Sequence, residues 1–266
     1  MARRLVGLLL AATAVLGAST APAQAAADFT GIVALNNCSG SLVRLPDSAP
    51  RDKALVLTNG HCVELMKAGQ VIVDRPVSRS FSLLDASGTK IATLTAAKLA
   101  YATMTGTDAA LYQLDTTYGD LQEKHGTRAL ELSATRPVAD TEISVVSGYW
   151  KRVYTCRIDG FVHQVKEADW TWDDSLRYTP DCDTIGGTSG SPVIDTTNGK
   201  VVGVNNTGNE SGGRCTMNNP CEVDADGNVT VHKGTNYAQQ TFGFVACFGP
   251  GTTLDLSRPG CTIAKP

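Results

Sequence analysis

Gly186-Gly187-Thr188-Ser189-Gly190-Ser191-Pro192, running into Val193-Ile194-Asp195, sets a hydroxyl between glycines on a tight turn that feeds a strand. Glycine has no Cβ, so Gly187 and Gly190 can take backbone angles other residues resist and let a carbonyl approach the main chain closely. Alone, such a turn is also an ordinary feature of β proteins. Its company decides the reading. The short apolar run Ala54-Leu55-Val56-Leu57 suits a buried strand and ends in Thr58-Asn59-Gly60-His61-Cys62, so a histidine leaves that strand at its turn. Thr107-Asp108-Ala109-Ala110-Leu111-Tyr112-Gln113-Leu114 puts an acid at the head of another apolar segment. A serine hydroxyl is a poor nucleophile at neutral pH and needs a base, which in turn needs an acid to orient it. His61, Asp108 and Ser189 supply those three types in that order.

Short apolar or alternating segments recur between clusters of Gly, Asn, Asp and Pro. They are Gly31 to Leu35, Ser41 to Leu45, Leu55 to Leu57, Gln70 to Val73, Phe81 to Leu84 and Ala110 to Leu114. After a more polar stretch from Asp115 to Ala139 they resume at Glu142 to Val146, Arg152 to Arg157, Gly160 to Val165 and Ser191 to Ile194. Lys200 to Val204, Val229 to His232 and Thr241 to Val245 complete the series. Regular short strands punctuated by turns define an all-β chain. The Asp224-Ala225-Asp226-Gly227-Asn228 run has oxygens of the kind that bind calcium, but it lacks the spacing of a calcium loop and reads as a hairpin turn.

The chain has 266 residues and a formal net charge of -3, which argues against a polyanion-binding surface and hence against nucleic acid as a partner. Met1-Ala2-Arg3-Arg4, the apolar Leu5 to Leu16 and the small-residue stretch Ala21 to Ala27 form the three regions of a secretory signal peptide. Its apolar part is too short to span a bilayer, so residues 1-27 are expected to be removed after Ala25 or Ala27, leaving a secreted protein with no membrane attachment. Cysteines 38, 62, 156, 182, 215, 221, 247 and 261 form an even set, which in an exported chain favours disulfides over free thiols or metal ligands. Pairing each with its neighbour (Cys38 with Cys62, Cys156 with Cys182, Cys215 with Cys221, Cys247 with Cys261) is the simplest arrangement, although cysteine positions alone leave the connectivity open.

Three stretches together resemble the chymotrypsin-like serine peptidases, in bacterial form. Thr58-Asn59-Gly60-His61-Cys62 resembles the family's Thr-Ala-x-His-Cys, Asp108 to Leu111 its Asp-x-x-Leu, and Gly187 to Pro192 its Gly-x-Ser-Gly-x-Pro. Thr184 to Val193 is similar to the bacterial members that include glutamyl endopeptidases. The resemblance implies two antiparallel six-stranded β-barrels with the active site in the cleft between them. Residues 28-122 would form the N-terminal barrel with His61 and Asp108, and residues 123-266 the C-terminal barrel with Ser189. It implies a monomeric endopeptidase acting on protein or peptide substrates, without cofactor or metal, with Ser189 as nucleophile, His61 as base and Asp108 as its orienter. The N–H groups of Gly187 and Ser189 would form an oxyanion hole, and Cys38 would pair with Cys62.

Specificity is less determined. Asp183, Thr184 and Asn205 are the expected substrate-binding positions. Glutamyl endopeptidases carry a histidine where this chain has Asn205, and Asp183 stands six residues before Ser189, where trypsins keep a pocket-base aspartate. Asp183 therefore either selects Arg and Lys or faces solvent beside Cys182. Thr188 occupies the position of the aspartate that pairs with the new N-terminus in animal family members, so no such activation switch is expected. A peptidase-shaped binding protein without catalysis is the competing function, since fold does not guarantee activity. Trp150, Trp170 and Trp172, with Tyr149, Tyr154 and Tyr178, either rim a substrate groove or pack as core.

Overall fold

The computed structural model describes residues 28–266; the signal-peptide reading of residues 1–27 falls outside the described residues. Two antiparallel sheets each close on themselves. In the first, Ile32–Ala34, Ser80–Leu84, Lys90–Thr103, Ala109–Thr117, Lys53–Thr58 and Ser39–Arg44 follow one another, and Ile32–Ala34 pairs back onto Ser39–Arg44. In the second, Trp170–Tyr178, Asn236–Gln240, Val201–Gly208, Pro192–Asp195, Glu142–Ser147 and Arg152–Glu167 make the ring, closed by the pairing of Arg152–Glu167 with Trp170–Tyr178. The protein is thus an all-β molecule of two six-stranded barrels.

Several elements depart from the sequence expectations. The longest strand of the first barrel, Lys90–Thr103, is one the sequence pattern does not pick out, because its Lys, Thr and Ala positions break the apolar alternation. Arg152 to Arg157 and Gly160 to Val165 are one continuous strand, Arg152–Glu167, whose register slips between Ile158 and Gly160. The run Thr241 to Val245 is a helical turn, Phe242–Val245, rather than a strand. Its Phe244 ring meets Tyr101 of the first barrel edge-on at 5.7 Å. With Phe248 and Leu254 it joins a buried cluster containing Leu57 and Leu111, so the end of the chain seals the first barrel.

Between the barrels the chain forms the helix Tyr118–His125. Thr117 caps it by accepting from the Asp120 N–H while Asp120 reaches back to the Thr117 N–H, and Gly126 ends it at φ 63°. The Asp224 to Asn228 run is a hairpin turn between the strands Cys221–Val223 and Val229–Thr230, with Asp224 Oδ1 accepting from the Asp226 and Asn228 N–H groups and Oδ2 from the Asn228 side-chain amide.

The hairpin formed by Arg152–Glu167 and Trp170–Tyr178 crosses from the second barrel to the first. Trp170 donates its indole N–H to the Met66 carbonyl at 2.8 Å, and Trp172 donates to the Met104 carbonyl at 3.1 Å. The Asp173 N–H donates to Gly106 and the Gly106 N–H to Thr171, two main-chain bonds just ahead of Asp108. These rings are buried and pack as core, and both also line the cavity that holds His61. Tyr149 and Trp150 behave differently: both are exposed beside Gly186 and Gly187, where the Trp150 indole donates to the Gly186 carbonyl at 2.8 Å.

Candidate active site

The apolar strand Lys53–Thr58 delivers Thr58-Asn59-Gly60 into a crowded place. A side chain at Gly60 would strike the Thr103 carbonyl, so glycine is what lets the turn press against Lys90–Thr103. The chain then makes a helical turn, with the Val63 N–H donating to the Gly60 carbonyl, and His61 projects from its start. Its Nδ1 lies 2.7 Å from Asp108 Oδ2, and its own N–H donates to Asp108 Oδ1 at 3.1 Å. Asp108 is fully buried, and the Asn59 amide fixes its main chain by donating to the Asp108 carbonyl at 2.7 Å. Both carboxylate oxygens are thereby committed to one residue. That commitment puts the proton on Nδ1 and leaves Nε2 as the ring's acceptor.

Burial works against protonating His61, but the charge and hydrogen bond of Asp108, helped by a smaller contribution from Glu167, outweigh it and hold the imidazole above its ordinary pKa of 6.5. The disulfide Cys38–Cys62 ties the turn to the strand Ser39–Arg44. Behind it the Arg79 guanidinium donates to the Cys62 carbonyl at 2.7 Å and to Tyr112 Oη at 3.0 Å. Cys38, His61 and Cys62 lie close enough to suggest a metal cluster, but the two sulfurs are bonded to each other and cannot act as thiolate ligands. The other disulfides join Cys156–Cys182, Cys215–Cys221 and Cys247–Cys261.

Ser189 sits on a turn whose glycines are both left-handed, Gly187 at φ 89° and Gly190 at φ 82°. A Cβ at Gly190 would collide with the Ser39 carbonyl and the Thr58 hydroxyl, so the turn packs directly on the first barrel. Ser39 is the hub of that contact. Its N–H donates to the Ser189 carbonyl at 2.8 Å, its hydroxyl lies 3.4 Å from the Gly187 carbonyl, and the Tyr149 N–H donates to that hydroxyl at 3.1 Å. Inside the turn the Thr188 N–H donates to Ile185 and the Gly190 N–H to Asn205, while those of Gly187 and Ser189 find no acceptor among the described residues. Thr188 is buried against neutral partners, the Ile185 carbonyl and the Asn205 amide, where a paired aspartate would need a cation.

His61, Asp108 and Ser189 line one cavity of about 200 Å³. The Ser189 hydroxyl donates to the Asn206 carbonyl at 3.1 Å rather than to His61. Ser189 also lines a narrower polar cavity of about 70 Å³, together with Thr184, Asn205, Gly208 and Asn236 among others. Thr184 donates to the Asn236 carboxamide oxygen at 2.9 Å, and that carboxamide lies so close over Gly208 that a side chain there would overlap it. Asn205 lines the cavity, but its amide nitrogen is spent on Thr188. The pocket-base reading of Asp183 requires correction: its side chain is exposed and does not line this cavity, because the Cys182 carbonyl is taken by both the Thr184 N–H and the Asn236 amide, which turns Thr184 inward and Asp183 out.

Sequence reasoning missed Ser39, Asn206, Glu167 and Asn236. Glu167 is 5% exposed and lines the same cavity as His61, accepting from the Thr207 hydroxyl at 2.6 Å and from the Asn218 N–H at 2.8 Å. Its burial raises the carboxyl above the usual range despite those bonds. The signal available in the sequence was alternation: Val165 and Glu167 are two apart on one strand and share its inward face.

A profile for the trypsin-like peptidase domain matches residues 38–204, so the chain belongs to the trypsin-like peptidase family and is a serine-type peptidase. Proteins and peptides are the substrates of that class. Among solved structures, the active form of the Rv3671c protease from M. tuberculosis is 18% identical, with 89% of this chain and 90% of that one covered and a TM-score of 0.49. A Glu endopeptidase is 19% identical over 88% of this chain and 92% of its own, with a TM-score of 0.46. The thermostable serine protease AL20 from an extremophilic microorganism is 17% identical over 80% and 91%, with a TM-score of 0.44. No curated protein matches the chain.

Proposed function

We propose that this protein is a secreted endopeptidase working through His61, Asp108 and Ser189. Ser189 Oγ attacks the scissile carbonyl while His61 Nε2 takes its proton; the tetrahedral intermediate collapses as His61 passes that proton to the leaving amine. Water, activated by the same imidazole, then cleaves the resulting acyl-enzyme. Asp108 holds the tautomer and stabilises the imidazolium. The N–H groups of Gly187 and Ser189 receive the oxyanion, each such donor contributing about 3 to 4 kcal/mol to the transition state.

The observation that carries this reading is the bidentate hold of Asp108 on His61 in a cavity that Ser189 also lines. The hydroxyl must leave the Asn206 carbonyl and meet His61, a rearrangement of the kind that substrate binding completes. Exposed apolar side chains support a peptide-binding cleft here: Leu65 and Met217 flank the histidine-side cavity, and Ile185, Tyr149 and Trp150 flank the serine turn. The strand Val201–Gly208 pairs on one side with Asn236–Gln240 as far as Gly208, while its pairing with Pro192–Asp195 ends at Val204. The edge from Asn206 to Gly208 is therefore open to an extended substrate.

Thr184, Asn205 and Asn236 then line the pocket for the residue before the scissile bond, where the small volume favours short side chains. Export through the residue 1-27 leader fits four disulfides and the finding that no helix among the described residues is long and apolar enough to cross a membrane. The working unit is a monomer, with residues 28-122 and 123-266 as its two halves. Hydrolysis of an unstructured protein such as casein by the purified protein, and its loss in Ser189→Ala, tests the proposal; equal hydrolysis by both would refute it.

A further inference from the structure

Glu167 is a buried carboxylate that the proposed chemistry does not use. Thr207 and Asn218 supply its hydrogen bonds, each to a different oxygen, and the charges that act on it most are those of His61 and Asp108 in the same cavity. It lines a cavity together with the apolar side chains of Leu65, Trp170, Trp172 and Met217 and with His61 and Asp108. Asn206 lines the same cavity; it is 3% exposed, and neither its amide nitrogen nor its oxygen has a partner among the described residues. The charge of Glu167 is met by two neutral donors and by His61, and a further cation entering the cavity would stabilise the buried carboxylate.

This cavity and the narrower one share Ser189, Asn206, Thr207 and Asn218 and so adjoin along the open edge Asn206 to Gly208; only this one is also lined by first-barrel residues, His61, Leu65, Met104 and Asp108, so it extends from that edge toward the first barrel. Successive side chains of an extended peptide point to opposite sides. A substrate that puts one residue into the narrow pocket beside Ser189 has the preceding side chain directed away from that pocket, and the adjoining cavity toward His61 and Glu167 is the one open to it. We propose that Glu167 forms a subsite for a lysine or arginine side chain at the second position before the scissile bond, its methylenes lying along Trp170, Trp172, Leu65 and Met217 and its cation on the carboxylate. The inference rests on the peptidase reading. It moves the selection of basic residues away from Asp183, which faces solvent.

Two measurements test it and separate its failure from that of the peptidase reading. Paired peptides carrying lysine or norleucine at that position are compared by kcat/KM with the wild-type protein and with Glu167→Gln. The same pairs are compared by calorimetric affinity in Ser189→Ala, with and without Glu167→Gln. The expected result is a preference for lysine of at least about tenfold in both assays, falling to within about twofold in Glu167→Gln while the norleucine peptide is little changed. A residue that merely braced Thr207 and Asn218 would lower both peptides together, and that outcome overturns the subsite. Equal handling of lysine and norleucine by the wild-type protein, with turnover intact, overturns it while leaving the peptidase reading in place. Lysine-selective binding to Ser189→Ala without any wild-type turnover upholds the subsite and refutes the catalytic reading.

Discussion

The two barrels bring their parts of the site together by different means. The first barrel holds an acid and a base rigidly within itself: Asp108 is wholly buried, grips both the ring and the main chain of His61, and is braced by Asn59, with the Cys38–Cys62 bridge behind. The second barrel presents Ser189 on a turn of left-handed glycines that its own chain holds from within, through Thr188 to Ile185 and Gly190 to Asn205, and that also rests on the first barrel, bonded to Ser39 and packed against Thr58. The proposed acid–base pair is thus preorganised by its own sheet alone, whereas the serine turn also leans on the contact between sheets. Changes on the first side should act on chemistry directly. Changes at the seam should act through geometry, and more gently.

The largest effect is expected from Asp108→Asn, which keeps the shape but favours the wrong imidazole tautomer; kcat should fall by about 10⁴-fold with the melting temperature little altered. Steady-state kinetics beside thermal unfolding checks this, and a loss smaller than tenfold would break the contrast between the barrels. Replacing Cys38 and Cys62 together by alanine should cost about 2 to 5 kcal/mol of stability and also lower kcat, because it frees the His61 turn. Denaturant titration against the same change at Cys247 and Cys261, whose bridge lies in the C-terminal cluster that seals the first barrel and lines neither cavity beside Ser189, sharpens the point. The second pair should leave kcat nearly unchanged.

Ser39→Ala tests the seam. It removes hydroxyl contacts to Gly187 and Tyr149 but keeps the main-chain bond to Ser189, so a loss of roughly tenfold or less in kcat is expected, about 1 kcal/mol per hydrogen bond. The smallest effect is on pH dependence. Neutral His61 is the active form and its pKa is raised, so the acid limb of kcat/KM should have its midpoint above 6.5, with activity rising as pH increases through it. Glu167 contributes the least to that elevation, so Glu167→Gln should move the limb slightly to lower pH. A shift to higher pH would contradict the electrostatic account.

Much of this site was legible because its chemistry sits on turns that need special residues. Gly60, Gly187 and Gly190 are each required by a close approach or a positive φ, and the strands leading to His61 and away from Asp108 are plain apolar runs. What stayed hidden depends on contacts across the seam. Ser39 is an unremarked serine until the barrels meet, and Trp170 and Trp172 could pack or rim a groove until their indoles find Met66 and Met104. Lys90–Thr103 was invisible because alanine and threonine blur its alternation, and Phe242–Val245 misled because an apolar run of that length suits strand or helix. Asp183 shows the weakness of counting along the chain: one residue decides whether a side chain faces the pocket or water, and here Thr184 takes the inward place.

Activation of Ser189 by Asp108 and His61, as proposed, is read out by intact-mass measurement after exposure to a fluorophosphonate, which forms a phosphoryl-serine bond and expels fluoride only where a serine is activated. The account expects one label per molecule of wild-type protein, mapped to Ser189, with no label on Ser189→Ala and labelling slowed by orders of magnitude in His61→Ala. Labelling at another serine, or at the same rate in His61→Ala, would contradict it.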